Sequence, residues 1–522
     1  MRYLSTRNQA TDMTLTPNKI LSQSLSADLQ QNISNLNILL DKCSDAIMRP
    51  FAFGSKKTTK CLLLYFDGLA DKAQIEDHIL KNLLMELNML NEDSLTQEGS
   101  LLDFIKERVL SLSSIKVVAS FEELSHSMNS GDAIIMIDGY KQALAAGTRF
   151  WKTRAIESPN NESTIQGPKE GFTETLRVNT ALLRRRLRSA QLKMETTILG
   201  RISKTDVVII YLEGIAPPEV LAQVKDRLNA IDIDSILDTG YLEEYLFQPR
   251  FSIFSQVQYT EKPDRVCGML LEGKVCIMVE GSPMAMVLPT SFPQFLNAAE
   301  DYYQHFITGS LFRLLRFGAF VIALFLPSLY VAIISFHQEM LPTNLYLTIS
   351  SSREGIPFPA IVEALLMEAT FELLREAGLR LPQVIGPAVS IVGALIIGDA
   401  AVRAGLVSSL MVVVVAFTGI ASFVVPVYNG SLIIRITRFG ILMTAGLFGL
   451  PGIIMFLLLI IIRTASIQNL GQPYLEPLSP LNLRQMTDII VRRPWSNNAM
   501  RPNTPGMENK KRQNIKDMGN GE

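Results

Sequence analysis

Residues 317–338 read FGAFVIALFLPSLYVAIISFHQ, without one Asp, Glu, Lys or Arg. About 20 apolar residues in a helix cross the roughly 30 Å hydrocarbon core of a bilayer, so this stretch reads as a membrane span. Three more charge-free apolar stretches follow, at 381–398, 404–434 and 439–462. Charges sit at their edges: Arg313 and Arg316, Arg380, Asp399 and Arg403, Arg435 and Arg438, Arg463. The pattern predicts an all-α polytopic membrane domain over residues 301–466, with four to six helices.

Residues 358–380, between the first two stretches, are different. The spacing is helical and the sequence apolar, yet it carries Glu363, Glu368, Glu372, Arg375 and Glu376. At about 100° per residue, Glu368, Glu372, Arg375 and Glu376 share one face, and Glu363 points nearly the opposite way. A charge in hydrocarbon costs a few kcal/mol at least, so such groups face protein or water. Two readings stand. The segment is an interfacial amphipathic helix, or copies from several subunits line a water-filled path whose acidic rings favour cations. Asp399 and Arg403, four residues apart at a junction of spans, read as a helix-surface ion pair or a membrane-edge gate.

Arg313 and Arg316 place the start of the first span on the cytosolic side. The basic, Pro- and Asn-rich tail over 467–522, read as largely disordered, is expected on the same side. Both ends inside require an even number of crossings. Four spans fit if 358–380 is re-entrant or lies at the outer face; if it crosses, the apolar region divides once more, near 426–431.

Residues 1–19 are polar, without the apolar segment of a secretory signal, so the N-terminal half is expected in the cytosol. Residues 1–54 combine this polar segment with an amphipathic helix marked by Leu29, Ile33, Leu36 and Leu40. Beyond it, short apolar runs at 61–66, 115–119, 133–137, 207–212 and 276–279 read as strands buried on both faces. Helical spacing at 74–90 and 218–231 separates them. The alternation predicts α/β subdomains with mostly parallel sheets, over 55–155 and 201–300. Four runs end in an acid and a glycine: Asp67-Gly68, Asp138-Gly139, Glu213-Gly214 and Glu280-Gly281. The two acids of each subdomain are about 70 residues apart, which reads as two related units or as a common strand-to-turn exit. The basic connecting segment, 156–200, holds Arg184, Arg185, Arg186 and Arg188, a solvated helix face or a contact for anionic lipid or an acidic subunit.

The composition narrows the function. The 522 residues carry 49 Lys and Arg against 50 Asp and Glu, a net charge of −1, which argues against nucleic acid as a partner. Cys43, Cys61, Cys267 and Cys276 are too few for a disulfide scaffold, and four scattered histidines suit no metal site. No Ser-His-Asp order, H-E-x-x-H or phosphate loop occurs, so neither an enzyme nor a cofactor is expected.

Several ordered motifs resemble one family. They are Gly167-Pro168-Lys169-Glu170-Gly171-Phe172-Thr173-Glu174 with Asn179 and Arg184 to Arg186, Glu280-Gly281-Ser282-Pro283, Pro289-Thr290-Ser291-Phe292-Pro293-Gln294-Phe295 and Glu300-Asp301-Tyr302-Tyr303. Arg353-Glu354-Gly355-Ile356-Pro357-Phe358-Pro359, Glu363-Ala364-Leu365-Leu366-Met367-Glu368 and Gly393 to Val402 complete the set. Together, across residues 32–472, they resemble the A subunit of GerA-type spore germinant receptors. The resemblance implies a multi-pass protein of the spore inner membrane or cell membrane, working with a permease-like B subunit and a lipoprotein C subunit. It implies a homo-oligomer forming a nutrient-gated channel for monovalent cations. With the helical-wheel argument, it makes 358–380 the pore-lining candidate. A non-conducting signalling scaffold and the related A-subunit-like protein of the dipicolinate channel are the alternatives.

Overall fold

The computed structural model describes residues 17–53, 59–89, 101–112, 114–150, 162, 166–247, 252–380, 398–502 and 506–513. Its N-terminal half is built from two five-stranded sheets. The first contains β1 (Ala46–Phe53), β2 (Thr59–Phe66), β3 (Ile115–Val118), β4 (Ala133–Ile137) and β5 (Ala143–Ala146), in the order β1-β2-β4-β5-β3. The second contains β6 (Leu192–Leu199), β7 (Thr205–Leu212), β8 (Gln258–Thr260), β9 (Val275–Val279) and β10 (Ala285–Leu288), in the order β6-β7-β9-β10-β8. Position for position, the two orders are the same.

Every neighbouring pair is antiparallel, as in Ala46 opposite Phe66 and Leu192 opposite Leu212. The expectation of mostly parallel sheets is therefore corrected. Continuous apolar runs report burial on both faces, and burial on both faces does not require parallel strands. Leu62, Leu64 and Phe66 face one core while Cys61 and Leu63 face the other. In the second unit Val207, Ile209 and Tyr211 face one core, and Val208, Ile210 and Leu212 the opposite one.

Helices supply the covering layers. The amphipathic helix expected near Leu29 is α1 (Leu29–Leu39), capped by the Asp28 side chain on Gln30 N. With α2 (Phe121–Asn129) it covers one face of the first sheet. In the second unit, α3 (Leu176–Arg186) and α5 (Pro263–Leu271) cover one face and α4 (Pro218–Asn229) the other. β1 lies within residues 1–54, and α3 and β6 lie within 156–200, so each sheet takes in chain that precedes the apolar runs read as strands.

The four acid-glycine exits are equivalent in structure. Gly68, Gly139, Gly214 and Gly281 all have φ between +78° and +90°, where a side chain is strained. Asp138 Oδ1 accepts from Leu29 N at 3.1 Å, and Glu280 Oε2 accepts from Leu176 N at 2.9 Å, each at the first residue of a helix. Asn32 clamps both backbone groups of Ser26, at 2.9 and 2.7 Å; Asn179 does the same to Thr173, at 2.8 and 2.6 Å. These matching contacts give the acid after the fourth strand of each unit the same role.

The second half is helical: α6 (Phe306–Phe336), α7 (Thr343–Arg353), α8 (Ala360–Arg380), α9 (Ser409–Phe423), α10 (Tyr428–Phe448) and α11 (Leu450–Ala465). Phe306–Phe336 and Asn429–Phe448 are long and apolar enough to cross a membrane; α9 and α11 are apolar and shorter. The apolar region expected as spans 404–434 and 439–462 breaks instead before Tyr428 and at Gly449, whose φ is +66°. Arg435 and Arg438 therefore lie inside α10 rather than at a span edge. The stretch expected at 381–398 lies, apart from Gly398, outside the described residues.

Two glycines let α8 approach its neighbours. A Cβ on Gly419 would stand 2.3 Å from Phe371 Cζ, and one on Gly446 2.5 Å from Ile361 Cγ1. After α11, the chain expected as a disordered tail forms a two-stranded hairpin, Gln468–Asn469 with Gln472–Pro473, and then α12 (Leu483–Ile490). Asn469 donates to Gln256 O and Thr290 O, tying the hairpin to the second sheet unit. Buried Asp301 pairs with Arg313 at 3.1 Å and Arg316 at 2.6 Å, fastening the start of α6 to the chain before it.

Candidate functional site

Burial of charge among apolar helices is costly unless the charges meet partners, and the acids of α8 each meet one. Glu368 and Arg438 are both fully buried, and Arg438 Nη2 lies 2.7 Å from Glu368 Oε2. One turn along α8, Glu372 pairs with Arg435 and lies 3.9 Å from both Arg375 and Arg438. Arg375 donates to Ser422 Oγ and stacks over Phe371 and Phe423, at 5.0 and 4.6 Å. Two carboxylates thus face three guanidiniums in the space between α8, α9 and α10.

Glu363 is buried on the other side of α8, as its place on the helical wheel requires. It accepts from the Ser408 backbone N at 2.6 Å and from the Ser408 hydroxyl, at the start of α9. Arg353, at the end of α7, stands 3.5 Å from its second oxygen. This carboxylate caps one helix and holds the end of another.

Glu376 stands apart, in an exposed pair with Arg380 at 2.7 Å. Of the five residues read as pore-lining, the structure gathers Glu368, Glu372 and Arg375, and separates Glu363 and Glu376. Asp399 and Arg403 form a well-exposed i,i+4 pair at 2.8 Å. Arg184 is buried between the two sheet units, with two nitrogens on Asp45 and its guanidinium 3.8 Å above the Phe66 ring. Arg185 and Arg186 both pair with Glu170, and Arg188 is exposed with its Nε on Arg185 O. Arg184 therefore has a partner within the chain.

Arg435 and Arg438, which the hydropathy pattern places at span edges, belong to this cluster instead. Their i,i+3 spacing puts both on one face of a helix. That was the available signal, but it acquires meaning only once residues 428–448 are known to form one continuous helix. In this arrangement the carboxylates are neutralised by guanidiniums of the same chain. The cluster carries more positive than negative groups.

Comparison with known proteins gives a consistent picture. Residues 34–504 match the family described as Bacillus/Clostridium GerA spore germination protein. The chain is 42% identical to the uncharacterized membrane protein YfkQ of Bacillus subtilis, over 95% of this chain and 96% of that one. It is 38% identical to spore germination protein KA of B. subtilis, covering 94% and 89% of the two chains. It is 35% identical to spore germination protein GerLA of Bacillus cereus, covering 85% and 89%. Among solved structures, the N-terminal domain of the A subunit of the Bacillus megaterium spore germinant receptor GerK3 aligns at 29% identity. That match has a TM-score of 0.41 and covers 51% of this chain and 96% of that one.

Proposed function

The chain belongs to the Bacillus/Clostridium GerA spore germination protein family, and from that premise we propose that it is the A subunit of a spore germinant receptor. On this reading its helical half lies in the spore inner membrane in several crossings, with the two sheet units on the cytosolic side. It works with a permease-like B subunit and a lipoprotein C subunit. Copies of the chain assemble so that nutrient binding opens a path for monovalent cations.

The observation that supports the reading is the set of ionisable residues buried between α8 and α10. Ionisable side chains among apolar helices are kept for ion pathways, relays or sensors, and the fold alone would not need them. Here Glu368 and Glu372 are held by Arg438 and Arg435, which suits a closed state. A cation path along α8 then requires these pairs to separate and expose the carboxylates to water.

A second reading, a non-conducting scaffold that relays binding, draws on the same neutralisation. Spores carrying Glu368→Gln or Glu372→Gln separate the two. For a conducting subunit, potassium release on nutrient exposure changes in rate or threshold, and the purified oligomer carries single-channel currents. Wild-type efflux from both variants, with no currents, leaves the scaffold.

A further inference from the structure

At the junction of the second sheet unit, the hairpin after α11 and α12 lies a cavity of about 370 Å³. Most of the residues lining it are polar, and two of the polar side chains are more than nine-tenths buried. Lys274, on the turn before β9, is 6% exposed, and Gln472, on the hairpin, is 8% exposed. Among the described residues the Lys274 ammonium makes one hydrogen bond, to Gln472 Oε1 at 3.4 Å, and no ion pair within 4 Å. Gln472 Nε2 is buried with no hydrogen-bond partner among the described residues. Two neighbouring donors thus line one cavity with too few acceptors, an arrangement that costs free energy unless an acceptor joins them.

The acids lining this cavity do not serve as that acceptor. Glu272 pairs with Arg512 at 2.9 Å, and Asp488 accepts from Tyr302 OH at 3.2 Å. Glu476 makes no ion pair with Lys274 within 4 Å among the described residues; burial raises its pKa, against the pull of Lys274. Arg493 and Lys510 add positive charge to the wall. We propose that this cavity is a binding site for a small oxyanion, a carboxylate or a phosphate, seated on the Lys274 ammonium and the Gln472 amide. Burial pushes the Lys274 ammonium down from its ordinary range, and a seated anion favours its charged form. Because Gln472 lies on the hairpin that follows the last apolar helix, the ligand bridges the second sheet unit and the chain leaving the helical half. The site stands independently of the receptor reading.

The test is isothermal titration calorimetry on the full-length chain in detergent. Sodium phosphate and sodium malonate are the probes, with sodium chloride balancing ionic strength. Saturable binding at or below about 10 mM is expected for at least one probe. Phosphate alone binding assigns a phosphate-bearing ligand; malonate alone assigns a carboxylate. Lys274→Met should weaken it about tenfold or more, and Lys274→Arg should retain most of it. If Lys274→Met does not elute as wild type on size exclusion, Gln472→Leu carries the test and should weaken binding severalfold. No saturable heat with either probe, or wild-type affinity in the well-folded variant, overturns the site.

Discussion

The Asp45–Arg184 joint and the Glu368–Arg438 pair use the same two chemical groups, each with a buried arginine, and hold them differently. Arg184 offers Nε and Nη2 to the two oxygens of Asp45, and the Phe66 ring closes one side at 3.8 Å. That geometry is directional and specifies one arrangement of α3 against the first sheet unit. Arg438 approaches Glu368 to 2.7 Å but off the hydrogen-bonding angle, so neither Glu368 oxygen makes a hydrogen bond among the described residues. It also stands 3.9 Å from Glu372, which has Arg435 and Arg375 within reach. Five charges that share partners admit more than one pairing, as a switching element requires. The first pair is a joint between rigid units; the second is a cluster that can exchange partners.

The largest expected effect comes from breaking the second pair on one side only. Arg438→Met leaves Glu368 buried and unpaired and should cost about 4 kcal/mol. Adding Glu368→Leu should restore most of that, as read by denaturant unfolding in detergent. A single variant within about 1 kcal/mol of wild type, or a double variant that recovers nothing, would show that the cluster is not energetically coupled.

Arg184→Met should cost somewhat less, about 3 kcal/mol, because Asp45 retains some access to water. Spores carrying it should release potassium at the wild-type nutrient threshold, whereas Arg438→Met spores should not. Equal shifts in threshold for the two variants would erase the distinction between joint and switch.

The two sheet units offer a finer comparison. Asn32→Ala and Asn179→Ala each remove a two-bond clamp on the loop before a helix. Each should cost about 1–2 kcal/mol and speed amide exchange in its own loop. A large cost in one unit and none in the other would mean that the shared topology is not matched by shared energetics.

The smallest effect concerns Glu243, which accepts from Ser255 Oγ and Tyr259 OH at 2.6 and 3.0 Å. Ser255 in turn accepts from Asn429 Nδ2 at 3.1 Å, at the start of α10. Burial raises the Glu243 pKa above 4.5, outweighing those hydrogen bonds. A carboxyl whose folded pKa is raised favours the folded state below its unfolded pKa, and that contribution is lost as pH rises through the folded value. Relative to wild type, Glu243→Gln should therefore gain in melting temperature as pH climbs from about 4.5 upward, by a degree or two. A difference that stays flat with pH would show that the carboxyl is not destabilised by burial.

Much of this was legible along the chain. All five apolar runs of the N-terminal half are strands, and the spacing of Leu29, Ile33, Leu36 and Leu40 is a helix. The remaining strands carry weaker signals. β1 includes Arg49 and Pro50, β6 alternates polar residues, and β5, β8 and β10 are at most four residues long. In the helical half, the sequence marked Glu363, Glu368 and Glu372 as unusual; the structure buries Glu363 and Glu368 and leaves Glu372 partly exposed.

What the sequence determined by itself is whatever depends on neighbours within a turn or a pleat: apolar runs, helical faces, acid-glycine exits and family membership. Strand direction, the partners of Glu368 and Glu372, and the burial of Arg184 were decided by tertiary structure. Each depends on which distant segment arrives alongside. An apolar strand carries no mark of its neighbour's direction, and a buried glutamate carries no mark of which arginine, about 70 residues later, will neutralise it.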